Sequence, residues 1–237
     1  MGRYGATAIS GAGADPAAEA PVHAGWKTLV SREYLGLTLI VGLLAVGSGL
    51  VLFGFNLWIP TNLRKLGFTE ADTILRNASL MGLPLTVVVA LMYGFWSSKK
   101  TIIILTSLIA AALLGFVAAG DNILGNRTLL YALLVVPIWG ISSVVAVLSV
   151  YSSEIYPTRI RARGAGFAAG ASKFGGVTII ALVVSGFTAP SISTVAIIGA
   201  VPMLLAVVVT LYYGVETCKR RLEDIAAEEF RAAHAGS

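Results

Sequence analysis

From Tyr151 to Gly176 the chain reads YSSEIYPTRIRARGAGFAAGASKFGG. One acid, Glu154, precedes three arginines at alternate positions, Arg159, Arg161 and Arg163. A carboxylate and a guanidinium at neighbouring helix ends can pair when the ends close and part when they separate. An exposed pair contributes at most about 1 kcal/mol. Partial burial raises that toward the ~1.4 kcal/mol that shifts an equilibrium tenfold. This is gating chemistry. Covalent catalysis has little to draw on, because His23 and His234 lie in polar tails and Cys218 is the one cysteine. A membrane serine protease would need a histidine beside a serine such as Ser142 or Ser143, and no apolar run holds one. No phosphate-binding loop or metal-ligand spacing occurs. The expectation is therefore no enzyme, no cofactor and no metal.

The elements that must position these residues are transmembrane helices. Of the 237 residues, 57% are hydrophobic and 12% charged, about half the charge of a soluble domain. Six apolar runs, each near the ~20 residues that cross a bilayer as a helix, are predicted over Tyr34–Ile59, Ile74–Trp96, Thr101–Ala119, Thr128–Ser152, Gly164–Thr188 and Ser191–Gly214. Residues 1–33 are rich in Ala, Gly and Pro and are expected to be largely disordered, with Trp26–Arg32 lying at the interface before the first span. No signal peptide is expected. Residues 215–237 form a polar tail.

Lysine and arginine set the orientation. With the N-terminus inside, the inner segments carry Arg3, Lys27, Arg32, Lys99, Lys100, the three arginines, Lys173 and the basic tail; the outer side keeps Arg64, Lys65, Arg76 and Arg127. Both termini are thus expected in the cytoplasm, with the arginines in a loop between spans four and five. The net charge of +5 reads as topology rather than as nucleic-acid binding. After the arginines, Gly166 and Gly170 stand one turn apart, the spacing that lets membrane helices approach closely. Lys173 either snorkels to the cytoplasmic surface, with Glu154 as partner, or marks a solute path. The segments PTNLRKLG from Pro60 and PTRIRARG from Pro157 match at Pro, Thr, Arg and Gly. They suggest two three-span units of opposite direction, a frequent transporter design.

The residues resemble a known family. Glu154-Ile-Tyr-Pro-Thr-Arg-Ile-Arg161, followed by Gly164 and Gly166, looks like the E-x6-R motif of the major facilitator superfamily, between its tenth and eleventh spans. Glu216-Thr-Cys-Lys-Arg-Arg-Leu-Glu-Asp-Ile225 is similar to the ETKGRxLEEI signature after the last span of its sugar porters. Leu57-Trp-Ile-Pro-Thr-Asn-Leu-Arg-Lys-Leu-Gly67 looks like the outer end of the seventh span. The likeness runs over about residues 26–228 and is to a C-terminal half. Tyr93-Gly-Phe-Trp-Ser-Ser-Lys-Lys100 departs from the pattern, for the family often has an acid and a glycine there and only the basic pair carries over.

The resemblance implies an all-α fold of six transmembrane helices in 3+3 inverted repeats, one half of a twelve-helix carrier. It implies transport of a small solute by alternating access in a cell (inner or plasma) membrane. The charge lock would comprise Glu154, Arg159, Arg161, Arg163, Lys99, Lys100, Glu216 and Arg220. Because the family's equivalents of spans one and four line the cavity, Phe53, Asn56, Trp139 and Ser142 would face solute, with Tyr93 of span two. Residues 1–33 resemble the family's central loop. The other half of the cavity would come from a separate N-terminal half or a homodimer. A non-transporting remnant or membrane interaction partner is the alternative. The expected partners are lipid and a small solute, and not nucleic acid.

Overall fold

The computed structural model describes residues 26–65, 67–119, 126–185 and 191–217. Among them are six helices long and apolar enough to cross a membrane. We label them α1 (Leu35–Lys65), α2 (Ala71–Trp96), α3 (Ser98–Ala119), α4 (Arg127–Glu154), α5 (Thr158–Val184) and α6 (Ile192–Tyr213). A short 3-10 turn, Trp26–Val30, precedes α1 and buries Leu29. The expectation for Trp26–Arg32 falls partly here. Residues 1–25 and the tail from Cys218, including Arg220, lie outside the described residues.

The helices are apolar all round, as a bilayer requires, so what separates inside from outside is packing. On α1 the buried positions Leu37, Val41, Leu44, Ser48, Val51, Phe55 and Ile59 recur every three or four residues. This stripe meets α4, α5 and α6. Phe55 sets its ring edge-on to Phe116 of α3, at 5.1 Å between centroids and 61° between planes.

The principal packings are α1 with α5 and α6, α4 with α2 and α3, α3 with α6, and α1 with α4; α1 also meets α2, and α4 meets α5. Exchanging α1, α2 and α3 with α4, α5 and α6 leaves this set unchanged; outside it stands the smaller contact of the Met92–Trp96 end of α2 with the start of α3. Each unit has three spans, so the second crosses in the opposite direction. This is the 3+3 inverted repeat.

The helix ends differ from the sequence expectation at two places. α1 runs through Pro60 to Lys65. Proline removes the hydrogen bond to the carbonyl four residues back, which belongs to Asn56, the last residue of a π-helical turn over Val51–Asn56. The widened turn thus ends at the residue whose carbonyl lacks its helical donor. α1 then stops where Gly67 takes φ 89°, a left-handed conformation that glycine adopts without penalty. At the other place, α5 already begins at Thr158, with Pro157 as its cap. Arg159, Arg161 and Arg163 therefore stand on the first turns of α5 and not in a loop. The matched PTNLRKLG and PTRIRARG segments occupy different positions, one at a helix end and one at a helix start. The repeat is carried by the packing and not by those segments.

Candidate functional site

Four chain segments meet at one end of the bundle: the end of α2, the α2–α3 junction, the end of α4, and residues after α6. α2 closes in a π turn, Met92–Trp96. Ser97 follows, and its Oγ accepts from the Lys100 backbone N–H at 3.1 Å, which caps α3. The Glu216 carboxylate sits on this helix start. Its Oε1 accepts from the Ser98 N–H at 2.8 Å and the Ser98 hydroxyl at 2.5 Å, and its Oε2 accepts from the Ser97 hydroxyl. The positive end of a helix dipole favours a carboxylate there.

Glu154, at the last turn of α4, is held by hydroxyls. Its Oε2 accepts from Tyr93 at 2.7 Å and from Thr217 at 2.6 Å. The Thr217 N–H donates to Ser98 Oγ at 2.9 Å. Tyr151 donates to the Val215 carbonyl at 3.0 Å and accepts from its N–H at 3.1 Å. Residues 215–217 are thus strapped across α2, α3 and α4. Bonds to a charged acceptor are each worth about 1.5–3 kcal/mol, so the strap outweighs an exposed ion pair.

Nearby, Tyr156 closes the junction of α4 and α5. Thr38 Oγ1 donates to the Leu29 carbonyl at 2.7 Å, so the Tyr156 hydroxyl, 3.2 Å from Thr38 Oγ1, donates to it. Burial raises the Tyr156 phenol above its ordinary value of 10.0, and it stays a neutral donor. Gly164 lies against its ring; a β-carbon at Gly164 would come within 2.1 Å of Tyr156 Cδ2.

The charge-lock residues are only partly brought together. Among the described residues Glu154 has no lysine or arginine within ion-pair distance, and the one such pair, Arg64 with Asp72 at 2.7 Å, lies at the opposite end. Arg159 is exposed. Arg161 Nε is buried without a partner. Lys99 Nζ donates to the Leu211 carbonyl at 3.2 Å, and Lys100 Nζ lies 5.5 Å from the Trp96 ring centroid. Tyr93, expected in the solute cavity, belongs to the Glu154 cluster instead. Sequence reasoning missed Ser97, Ser98 and Thr217. Two signals pointed near them: Thr217 adjoins Glu216 in the tail signature, and both serines lie in the stretch that lacks the family's acid.

The glycines expected to pack closely do not. A β-carbon at Gly166 or Gly170 would meet nothing within 4 Å. The tight contacts lie on the other side of α5. A β-carbon at Gly49 would stand 2.0 Å from the Ser172 carbonyl oxygen, and one at Gly175 2.4 Å from that of Val46. The backbones of α1 and α5 touch there. Gly176 lies against the Phe53 ring, and Gly82 of α2 against Trp139 of α4. Both contacts join the first helix of one unit to the second helix of the other, at different depths.

Between α1, α4 and α5 lies a cleft of about 280 Å³. Ser48, Leu52 and Phe53 line it from α1, Leu148, Ser149 and Ser152 from α4, and Ala168, Ser172 and Lys173 from α5. Phe53 belongs to the π turn of α1, and such turns are frequent at functional sites. The Lys173 ammonium does not extend to Glu154; it lies 5.5 Å from the Phe53 ring centroid. Of the other expected cavity residues, Ser142 is exposed and donates to the Ile138 carbonyl at 3.4 Å. Asn56 Oδ1 and Trp139 Nε1 are buried without hydrogen-bond partners. Only Phe53 of that set lines the cleft.

No family model matches the chain. Over 211 residues it is 29% identical to the inner membrane metabolite transport protein YdjE of Escherichia coli (strain K12), an overlap of 83% of this chain and 43% of that protein. The chain therefore spans less than half the length of the curated relative it matches. It is a multi-pass membrane protein similar, over most of its own length, to a transport protein.

Proposed function

We propose that this chain is a six-helix half of a major facilitator-type carrier that moves a small metabolite by alternating access. The observation that carries this is the exchange-symmetric packing of α1–α3 and α4–α6, the repeat design of secondary transporters. The likeness to a metabolite transport protein supports the same reading. Residues 34–214 form the transmembrane unit, residues 1–33 resemble an inter-half linker, and residues 215–237 form a cytoplasmic tail. The Glu154 end faces the cytoplasm, in keeping with the basic residues there. The strap of Glu154, Glu216 and Thr217 holds that end closed, and the nearby arginines take over Glu154 when it opens. The complementary wall of the cavity comes from a separate N-terminal half or a second copy.

Flux into proteoliposomes tests the proposal, with the chain alone and with a separately made six-span N-terminal half. A panel of radiolabelled small metabolites is used, neutral and anionic. Saturable flux of a panel member in either preparation is expected. If both preparations match empty liposomes for the whole panel, the carrier reading falls and an interaction role replaces it.

A further inference from the structure

We infer that the cleft between α1, α4 and α5 binds a small organic monoanion, a carboxylate on an apolar body, with Lys173 as its counter-ion and Ser172 as an added donor. This deepens the carrier reading and rests on it for the sense in which the ligand is a substrate.

Lys173 is the one charged residue lining the cleft. It lies about 15 Å along α5 beyond Arg163, half of a ~30 Å hydrocarbon core. A cation at that depth costs several kcal/mol unless it is compensated. Among the described residues no carboxylate pairs with it; its contact is the Phe53 ring. A ring face compensates an ammonium only in part, and a carboxylate does so better. A second negative charge on the ligand would have no counterpart and would be desolvated at a loss.

The hydroxyls argue against a sugar. Ser48, Ser149 and Ser152 already donate to the carbonyls of Ala45, Val145 and Ser149, at 2.8, 3.1 and 3.1 Å. Ser172 Oγ, with the Ser48 proton already committed, donates only a long 3.5 Å contact to Ser48 Oγ, which a ligand oxygen can replace. A polyol needs many paired donors and acceptors, for each unpaired buried hydroxyl costs about 1–3 kcal/mol. Leu52, Phe53, Leu148 and Ala168 offer it none, but they suit an apolar body.

The test is equilibrium binding of radiolabelled benzoate and of benzamide, its neutral counterpart of the same shape, to the protein in lipid nanodiscs, with empty nanodiscs subtracted. Benzoate is expected to bind at least tenfold tighter than benzamide. Lys173→Gln should abolish that preference and Lys173→Arg should keep most of it. Lys173 is exposed, so these changes open no cavity. Equal binding of the two probes by the unaltered protein, no binding of either, or a preference that survives Lys173→Gln each overturns the inference. The carrier reading fails separately: binding with the expected preference but no flux leaves the site standing, and flux without the preference leaves the carrier standing.

Discussion

Glu154 shows how far a residue type can be read and where the reading stops. An acid at a helix end beside arginines announces a charged contact. It does not announce that the contact is made by Tyr93 and Thr217, 61 and 63 residues away in the chain. A carboxylate accepts from any donor, and which donor arrives first depends on how the helix ends converge. In Glu154→Gln the amide oxygen still accepts from both hydroxyls, but without the charge. The two bonds together weaken by about 1–2 kcal/mol, roughly tenfold in the balance between closed and open states. We expect faster thiol labelling of a cysteine placed at Ser149, in a Cys218→Ser background, by at least several-fold when Glu154 is also changed. An unchanged labelling rate would mean that the strap does not gate this end. The spans were legible because a bilayer demands ~20 apolar residues. The identity of the strap was not, because serine, threonine and tyrosine are unremarkable in sequence until a fold gathers them.

At the scale of the helix, glycine spacing was legible but glycine facing was not. Gly166 and Gly170 have the separation expected of a contact, yet they lie on an open side of α5. Gly175 meets α1 at a backbone carbonyl, and Gly49 does the same in return. An amphipathic pattern would have told these sides apart, but a membrane helix is apolar on both. Gly49→Ala should therefore force α1 and α5 apart, since the obstructing atom is backbone oxygen and cannot rotate away. Overpacking of this kind costs about 1–3 kcal/mol. Gly170→Ala meets nothing, and the better helix former should stabilise by up to about 1 kcal/mol. Thermal unfolding of both variants in detergent gives the comparison. If Gly49→Ala and Gly170→Ala shift the midpoint equally, the seam is looser than its geometry implies. The π turns belong to the same scale. Pro60 stands four residues beyond the one in α1, whereas the one at Met92–Trp96 is not followed by a proline.

For the whole molecule, parity fixes more than any single contact. Six crossings return the chain to the side on which it started, so the Trp26–Val30 turn and residues 214–217 share a face. The hydrogen bonds of that face agree, joining Leu29 to Thr38, Thr38 to Tyr156, and Glu154 to Thr217. Which side of the membrane this is depends on the basic residues. Lys27, Arg32, Lys99, Lys100 and the three arginines of α5 stand at helix ends on this face, and Arg64, Lys65 and Arg76 at the other. The arginines at the start of α5 oppose its dipole, so helix stability does not explain them, whereas the proposed cytoplasmic placement of this face would. Single cysteines at Ser31, Thr158 and Thr69, again without Cys218, make the prediction concrete. Thr69 lies in the turn between α1 and α2. In intact cells, a membrane-impermeant maleimide should label Thr69→Cys and leave the other two nearly unlabelled until the membrane is opened. Labelling of Ser31→Cys and Thr158→Cys but not Thr69→Cys would reverse the orientation and put the Glu154 strap outside. Labelling of Ser31→Cys without Thr158→Cys would break the even count of crossings over α1–α4, and with it the inverted repeat.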